Sequence, residues 1–169
     1  MSDLSTIEEL LIHTIQDLYS AETQLVEAIP PMREASTDLA LADSFAAHLE
    51  ETKGHVRRLE QVAELLGDSP HGAVCLGMRG LIAEGQEILE LEGDPFIKDL
   101  ALTAAARKVE HYEIAAYCGA KELAEALGIQ EVAALLKATE DEEKSSDKIL
   151  MAIAAKVVGG APSATDPIA

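Results

Sequence analysis

Acidic side chains standing on the apolar stripes of long helices constrain this chain more than any other feature. Over Ala101–Leu127, the residues Leu102, Ala106, Val109, Ala116, Ala120, Leu123 and Leu127 recur at three- and four-residue steps, which predicts a helix with one apolar face. Glu113 falls on that stripe, between Val109 and Ala116, and Glu110 lies one turn away beside it. A carboxylate in a helix core is costly unless it is paired, hydrogen-bonded or bound to a metal.

The same anomaly recurs twice. A first helix, from a capping box at Ser5 and Glu8 to about Ile29, carries Leu11, Ile15, Leu18, Glu22, Leu25 and Ile29 as its stripe, and Pro30-Pro31 is expected to end it. A last helix, from about Gln130 to Val158, has Val132, Leu136, Thr139, Glu143, Ser146, Leu150, Ile153 and Val157. Between them a second helix should run from near Asp38 to Leu66, stopped by Gly67 and Pro70. Its seam carries no acid, but at about 100° per residue His48 falls near the inward face, His55 at its rim and Glu51 further round. Residues 67–94 form a long connection with a weaker helix over Val74 to Leu91, and the stretch from Gly159 onward reads as a flexible tail after a single domain over 1–158.

Register decides whether the acids can meet. In an antiparallel hairpin, residues equidistant from the turn are level; the midpoint of 113 and 143 is Gly128, and that of 22 and 51 falls at 36.5, in the loop after the two prolines. The 28 residues from 67 to 94 are long enough to run back along a bundle, which would make the second and third long helices parallel. The expected fold is all-α: a four-helix bundle with one long crossover that contains an additional helix. Composition agrees, because alanine, leucine and glutamate dominate while there are two Phe, three Tyr and no Trp.

The chemistry follows from what such a core tolerates. Several carboxylates in an apolar interior cannot all ionise without protons or cations to neutralise them, and an oxygen-rich site with one or two imidazoles suits iron or manganese. Helix two offers His48-x-x-Glu51 and Glu51-x-x-x-His55, helix three Glu110-x-x-Glu113, and helix four Glu143 and Asp147 without a histidine. Each residue has a plainer reading beside this one. A single inward glutamate is commonly held by Arg or Lys, with Arg107 and Lys108 nearest in sequence, and His48 could be a satisfied core histidine. Tyr117, one turn beyond Glu113, is the tyrosine best placed to touch the centre.

Four strings, Asp17-Leu-Tyr-Ser-Ala-Glu22-Thr-Gln-Leu, His48-Leu-Glu-Glu51-Thr, Lys108-Val-Glu110-His-Tyr-Glu113-Ile-Ala-Ala-Tyr117 and Glu142-Glu143-Lys-Ser-Ser-Asp147, together resemble the YciF/YciE-type ferritin-like proteins of bacteria. The resemblance spans roughly Leu4 to Ala155. It implies a rubrerythrin-like bundle, commonly a homodimer, associated with stress responses. It also implies a di-nuclear iron or manganese centre on Glu22, Glu51, Glu110, Glu113 and Glu143, with His48, His55 and Asp147 as further candidates. The Glu110/Glu113 pair is similar to that of peroxide-reducing rubrerythrin-like centres. At position 53 this chain has Lys where a histidine can occur in the family.

Other function classes are narrowed by charge and pattern. A formal net charge of −18 disfavours nucleic acid and anionic membrane as partners, since both need clustered Lys and Arg. The N-terminus lacks a basic region followed by an apolar run, and no stretch of about 18 apolar residues occurs, so a cytoplasmic protein is expected. Cys75 and Cys118 lack a CxxC spacing and read as ordinary buried thiols. A homodimer is expected through apolar surface left on the first hairpin or on the 74–91 helix. Two functions fit: a redox centre reacting with peroxide or dioxygen, and a non-enzymatic stress protein whose polar core is structural or binds metal without turnover.

Overall fold

Five helices account for nearly all of the computed structural model, which describes residues 4–159: α1 Ile7–Ala35, α2 Leu39–Leu66, α3 Leu76–Glu90, α4 Pro95–Ala126 and α5 Gln130–Gly159. Local chemistry explains most of the boundaries. The capping box forms one residue later than the sequence suggested, with Thr6 accepting from the Glu9 amide at 3.1 Å and Glu9 accepting from Thr6 at 3.0 Å. Asp38 and Asp94 cap α2 and α4, and Pro95 opens α4, where a missing N–H costs nothing. Gly128, at φ +75°, makes the left-handed turn that lets Ile129 N–H reach Ala124 C=O at 3.0 Å and close α4. The tail expected after α5 lies outside the described residues.

One boundary differs. Pro30 and Pro31 do not end α1, which continues to Ala35 despite the two lost backbone hydrogen bonds. Tertiary packing overrides the local cost. Met32 and Ala35, beyond the prolines, pack against the same apolar cluster as Ile29 and Phe45, and Met32 meets α3 at Gly85. The turn that follows is pinned by Asp99 of α4, a buried carboxylate that accepts from Thr37 N–H at 2.9 Å, the Thr37 hydroxyl at 2.6 Å and Asp38 N–H at 2.8 Å.

Cross-helix contacts establish the topology. Tyr112 reaches Asp17, Tyr117 reaches Glu22 and Asp99 reaches Thr37, so α4 runs antiparallel to α1. On the opposite side of the bundle, Arg58 meets Thr139 while His48 meets Ser146, so α5 runs antiparallel to α2. The hairpins α1–α2 and α4–α5 are themselves antiparallel, which leaves α2 and α4 parallel. Helix α3 makes this possible by carrying the chain back along α1 and α4. This is the bundle with one long crossover that the sequence spacing requires. No helix among the described residues is long and apolar enough to cross a membrane.

The core is divided in two. Leu25, Ile29, Phe45, Leu102 and Leu150 belong to one apolar cluster, and Leu11, Ile15, Leu59, Val132 and Leu136 to the other. The acids lie between. Within the first cluster, Cys75 caps α3 and sits 2.9 Å from the Tyr112 hydroxyl and 3.1 Å from Asp17, while Cys118 is half-buried rather than a core thiol.

Two glycines of α3 give a matched test of this packing. A Cβ at Gly77 would stand 2.8 Å from the Tyr112 ring, which Asp17 and Cys75 hold at its hydroxyl, whereas one at Gly80 meets nothing within 4 Å. Urea denaturation should therefore show Gly77→Ala destabilising by about 1–3 kcal/mol. Gly80→Ala should stabilise by about 0.5–1 kcal/mol through helix propensity. Equal effects would mean that α3 does not press on Tyr112 as described.

Candidate metal centre

Four glutamates and two histidines from all four long helices form a layer across the middle of the bundle. Glu22, Glu113 and Glu143 are 0% exposed, Glu110 2%, His48 6% and His55 1%. Glu22 comes from α1, the histidines from α2, Glu110 and Glu113 from α4, and Glu143 from α5. Ligand atoms of Glu22, His55 and Glu143 all lie within 4.8 Å of one another, as do those of His48, Glu113 and Glu143. Glu143 is common to both groups. Glu110 joins through His48, at 3.5 Å from Nε2.

Helix α2 supplies its imidazoles by simple geometry. His48 and His55 are seven residues apart, two helical turns, so they share one face with Thr52, also buried, between them. Glu51 falls off that face and is half exposed, touching the centre only through His48 Nδ1 at 3.7 Å. Asp147 lies outside both groups: its carboxylate takes the Arg107 guanidinium at 2.7 Å and faces His111 at 3.4 Å. Of the eight candidates from the sequence, six meet in the layer; Glu51 stands at its edge and Asp147 beyond it.

The surroundings hold these side chains in place. His55 Nε2 lies 2.9 Å from Glu142, and Arg58 grips that carboxylate with both terminal nitrogens, at 2.8 and 3.1 Å. A carboxylate on Nε2 fixes the N–H there and turns Nδ1 inward, where Glu143 stands at 2.9 Å and Glu22 at 3.2 Å. The Tyr117 hydroxyl donates to Glu22 at 2.5 Å. Sequence reasoning singled out Tyr117 and missed Glu142 and Arg58. The signal available was the spacing of Glu142 beside Glu143, but its partners sit 84 to 87 residues away.

Hydrogen bonding leaves the layer unsatisfied. Among the described residues, the buried side-chain nitrogens and oxygens without a hydrogen-bond partner are Glu22 Oε2, His48 Nε2, His55 Nδ1, Glu110 Oε2 and both oxygens of Glu113 and Glu143. All belong to this cluster. Close approaches such as His55 Nδ1 to Glu143 are short but misaligned for a hydrogen bond. Lysines and arginines do not fill the gap: Arg107 pairs with Asp147, Lys108 with Glu84, and Lys121 and Lys144 with Glu140.

Burial dominates the protonation of the metal-free layer. It pushes Glu113 well above the ordinary carboxyl range, helped by Glu22, Glu143 and Glu110, and raises Glu22 and Glu110, the latter to about 9. Burial alone would lower the imidazoles. The acids win, Glu51 and Glu110 foremost for His48 and Glu143 and Glu22 for His55, taking them to about 9 and about 10. Burial works against the Glu143 charge as well, but His55 and His48 hold it below the usual range.

A bundle with one long crossover and a buried carboxylate and imidazole layer defines the ferritin-like class. A ferritin-like, diiron-carboxylate protein from Bacillus anthracis shares the fold with a TM-score of 0.69 at 18% identity, over 89% of this chain and 99% of that one. The chain belongs to the family described as Domain of unknown function (DUF892), which matches residues 6–161. It is 44% identical to Protein YciF of Escherichia coli K12 over 146 residues, 86% of this chain and 88% of that protein. The crystal structure of the E. coli stress protein YciF superposes with a TM-score of 0.91 at 42% identity, over 94% of this chain and all of the other.

The direction of these shifts predicts how the metal-free protein responds to pH. Glu22, Glu110 and Glu113 are raised from 4.5, and His48 and His55 from 6.5. Their stabilisation is fully present below those unfolded values and is lost as pH rises through the folded ones, because the folded state then binds more protons than the unfolded chain. Glu143, Glu142 and Glu140 are lowered and act oppositely, losing stabilisation only as pH falls below 4.5. Denaturation of chelator-treated protein should show stability falling from about pH 6 to about pH 9, and Glu113→Gln should flatten the slope. A stability that rises over that range would contradict the protonated state of the layer.

Proposed function

We propose that the layer binds a pair of divalent metal ions, iron or manganese, and that the iron-loaded protein reduces peroxide, with dioxygen the slower oxidant. The observation that carries this reading is that the unpartnered buried polar atoms among the described residues all belong to these six residues. Four carboxylates carry four negative charges, which two divalent cations neutralise, and the donor set of oxygens with two imidazole nitrogens is one that iron and manganese accept. Glu22, His55 and Glu143 would hold one ion, and His48, Glu113 and Glu143 the other, with Glu110 beside His48. The diiron-carboxylate description of the B. anthracis protein and the stress description of the E. coli relative support it.

Two ferrous ions at this position would supply the two electrons that, with two protons, convert a peroxide O–O bond into two molecules bearing O–H groups. The chain's own residues prepare the site for that chemistry. Glu142 and Arg58 orient His55, and Tyr117 steadies Glu22. Leu18 is buried and Leu49, Val109 and Ala116 are partly so; together they keep bulk water from the layer. Glu110, beside His48 at the edge of the layer, is the carboxyl placed to relay a proton to a departing oxygen.

A second reading has an observation of its own. His55 lies between Glu22 and Glu143, and two protonated imidazoles would offset part of the negative charge without metal. The protein would then be a non-enzymatic stress protein with a polar core. Titration of chelator-treated protein with ferrous or manganous ion, followed by calorimetry, separates the two. Two ions should bind per chain, and Glu142→Ala should weaken the tighter site by about 10- to 100-fold through loss of His55 orientation. Stopped-flow mixing of the anaerobic ferrous protein with hydrogen peroxide should give oxidation faster than free ferrous iron, and Glu22→Ala should abolish the advantage. Absence of metal binding favours the polar-core reading; binding without faster oxidation leaves a metal-binding stress protein.

The expected homodimer belongs to the same reading. Val74 and Leu76 at the start of α3 are more than half exposed, as are Leu39, Leu91 and Ile97, and an apolar surface of this kind favours self-association.

A further inference from the structure

An apolar cavity of about 100 Å³ lies against the Glu110 edge of the carboxylate layer, walled by side chains of all five helices, among them Ile29, Phe45, Ile82, Val109 and Leu150. Exposed Glu27 and Gln86 line its outer rim, so it opens to the surface between α1 and α3. Its polar inner lining is His48, Glu110 and Ser146, each buried to more than nine-tenths. His48 Nε2 and Glu110 Oε2 have no hydrogen-bond partner.

Both halves of this arrangement describe an occupant. Water gains little in a chamber whose walls offer it few partners, and neither dioxygen nor hydrogen peroxide needs that much apolar volume. A dry cavity of about 150 Å³ accepts benzene in another protein, so one of about 100 Å³ suits a compact body of roughly four carbons. The unpartnered Glu110 oxygen at the inner end calls for one polar terminus able to hydrogen-bond to a carboxyl group. We propose that the cavity receives the hydrocarbon body of a small organic hydroperoxide and presents its terminal oxygens to Glu110, at the edge of the layer. This rests on the peroxide reading of the centre and names its substrate class. Reduction would leave the corresponding alcohol in the cavity and release water, the electron count being that given above for two ferrous ions.

Gly85 offers a way to close the cavity without touching the layer. It is a buried residue of α3 on the cavity wall, and a Cβ there meets only the Met32 thioether, at 3.7 and 3.9 Å. Leucine and alanine are better helix formers than glycine, which favours folding of both variants. Methyl NMR of metal-free protein titrated with tert-butyl hydroperoxide should give saturable shifts at Ile29, Ile82 and Val109. Gly85→Leu should bind about tenfold more weakly or worse, as expected when a few methylene volumes are lost from an apolar pocket, and Gly85→Ala should fall between. No saturable shift, or equal affinity in wild type and Gly85→Leu, overturns the inference even if the ferrous protein consumes hydrogen peroxide. Binding of the probe by a protein whose ferrous form reduces neither peroxide overturns the reading of the centre, and the assignment of the occupant with it.

Discussion

The cost of removing four carboxyl groups from water is the constraint around which this bundle is arranged. Every long helix contributes to the layer, so no helix can slide or rotate without displacing a buried polar group from its neighbours. The two apolar clusters on either side supply the favourable burial, and the layer itself supplies none. In the metal-free protein the cost is limited by keeping protons on Glu22, Glu110 and Glu113 and setting the imidazoles against the charge of Glu143. Cations would replace the protons, which links the protein's affinity for metal to pH through the same residues.

Support for the layer comes from groups outside it, and it is uneven. The α5 side is braced: Arg58 clamps Glu142, Glu142 fixes His55, and Thr139 adds a contact to Arg58. On the α1 side Tyr117 alone steadies Glu22. At the Glu110 and His48 edge one oxygen and one nitrogen lack partners, and it is the edge that faces the apolar cavity. A centre open on one side and braced on the other would admit a small molecule from one direction without losing its geometry. Asp147, which a helical wheel puts one turn from Glu143, is withdrawn by Arg107 and braces the α4–α5 pair instead.

The crossover helix has two tasks that sequence pattern alone does not separate. It returns the chain to the far end of the bundle, which makes α2 and α4 parallel, and it forms part of the cavity wall. Its glycines divide accordingly. Gly77 lets α3 approach the Tyr112 ring, and Gly85 leaves the volume beside Met32 open.

Helical periodicity and the acids on apolar stripes were sufficient to specify five helices, their order, the parallel middle pair and the meeting of Glu22, Glu113 and Glu143. Those are properties of spacing, and spacing survives in one dimension. The departures all arise where a distant partner outweighs a local preference. Pro30 and Pro31 read as a stop, yet α1 passes through them because Met32 and Ala35 have apolar surface to bury against the far end of the core. Glu51 and Asp147 have the composition of ligands, but a few tens of degrees around a helix decide whether a side chain enters the core or meets Arg107 and solvent. Glu142 reads as a surface acid until α2 brings Arg58 and His55 to it across more than 80 residues. The cavity beside Glu110 has no sequence signature at all, because a void is defined by where helices fail to touch, here all five, and only their packing decides that.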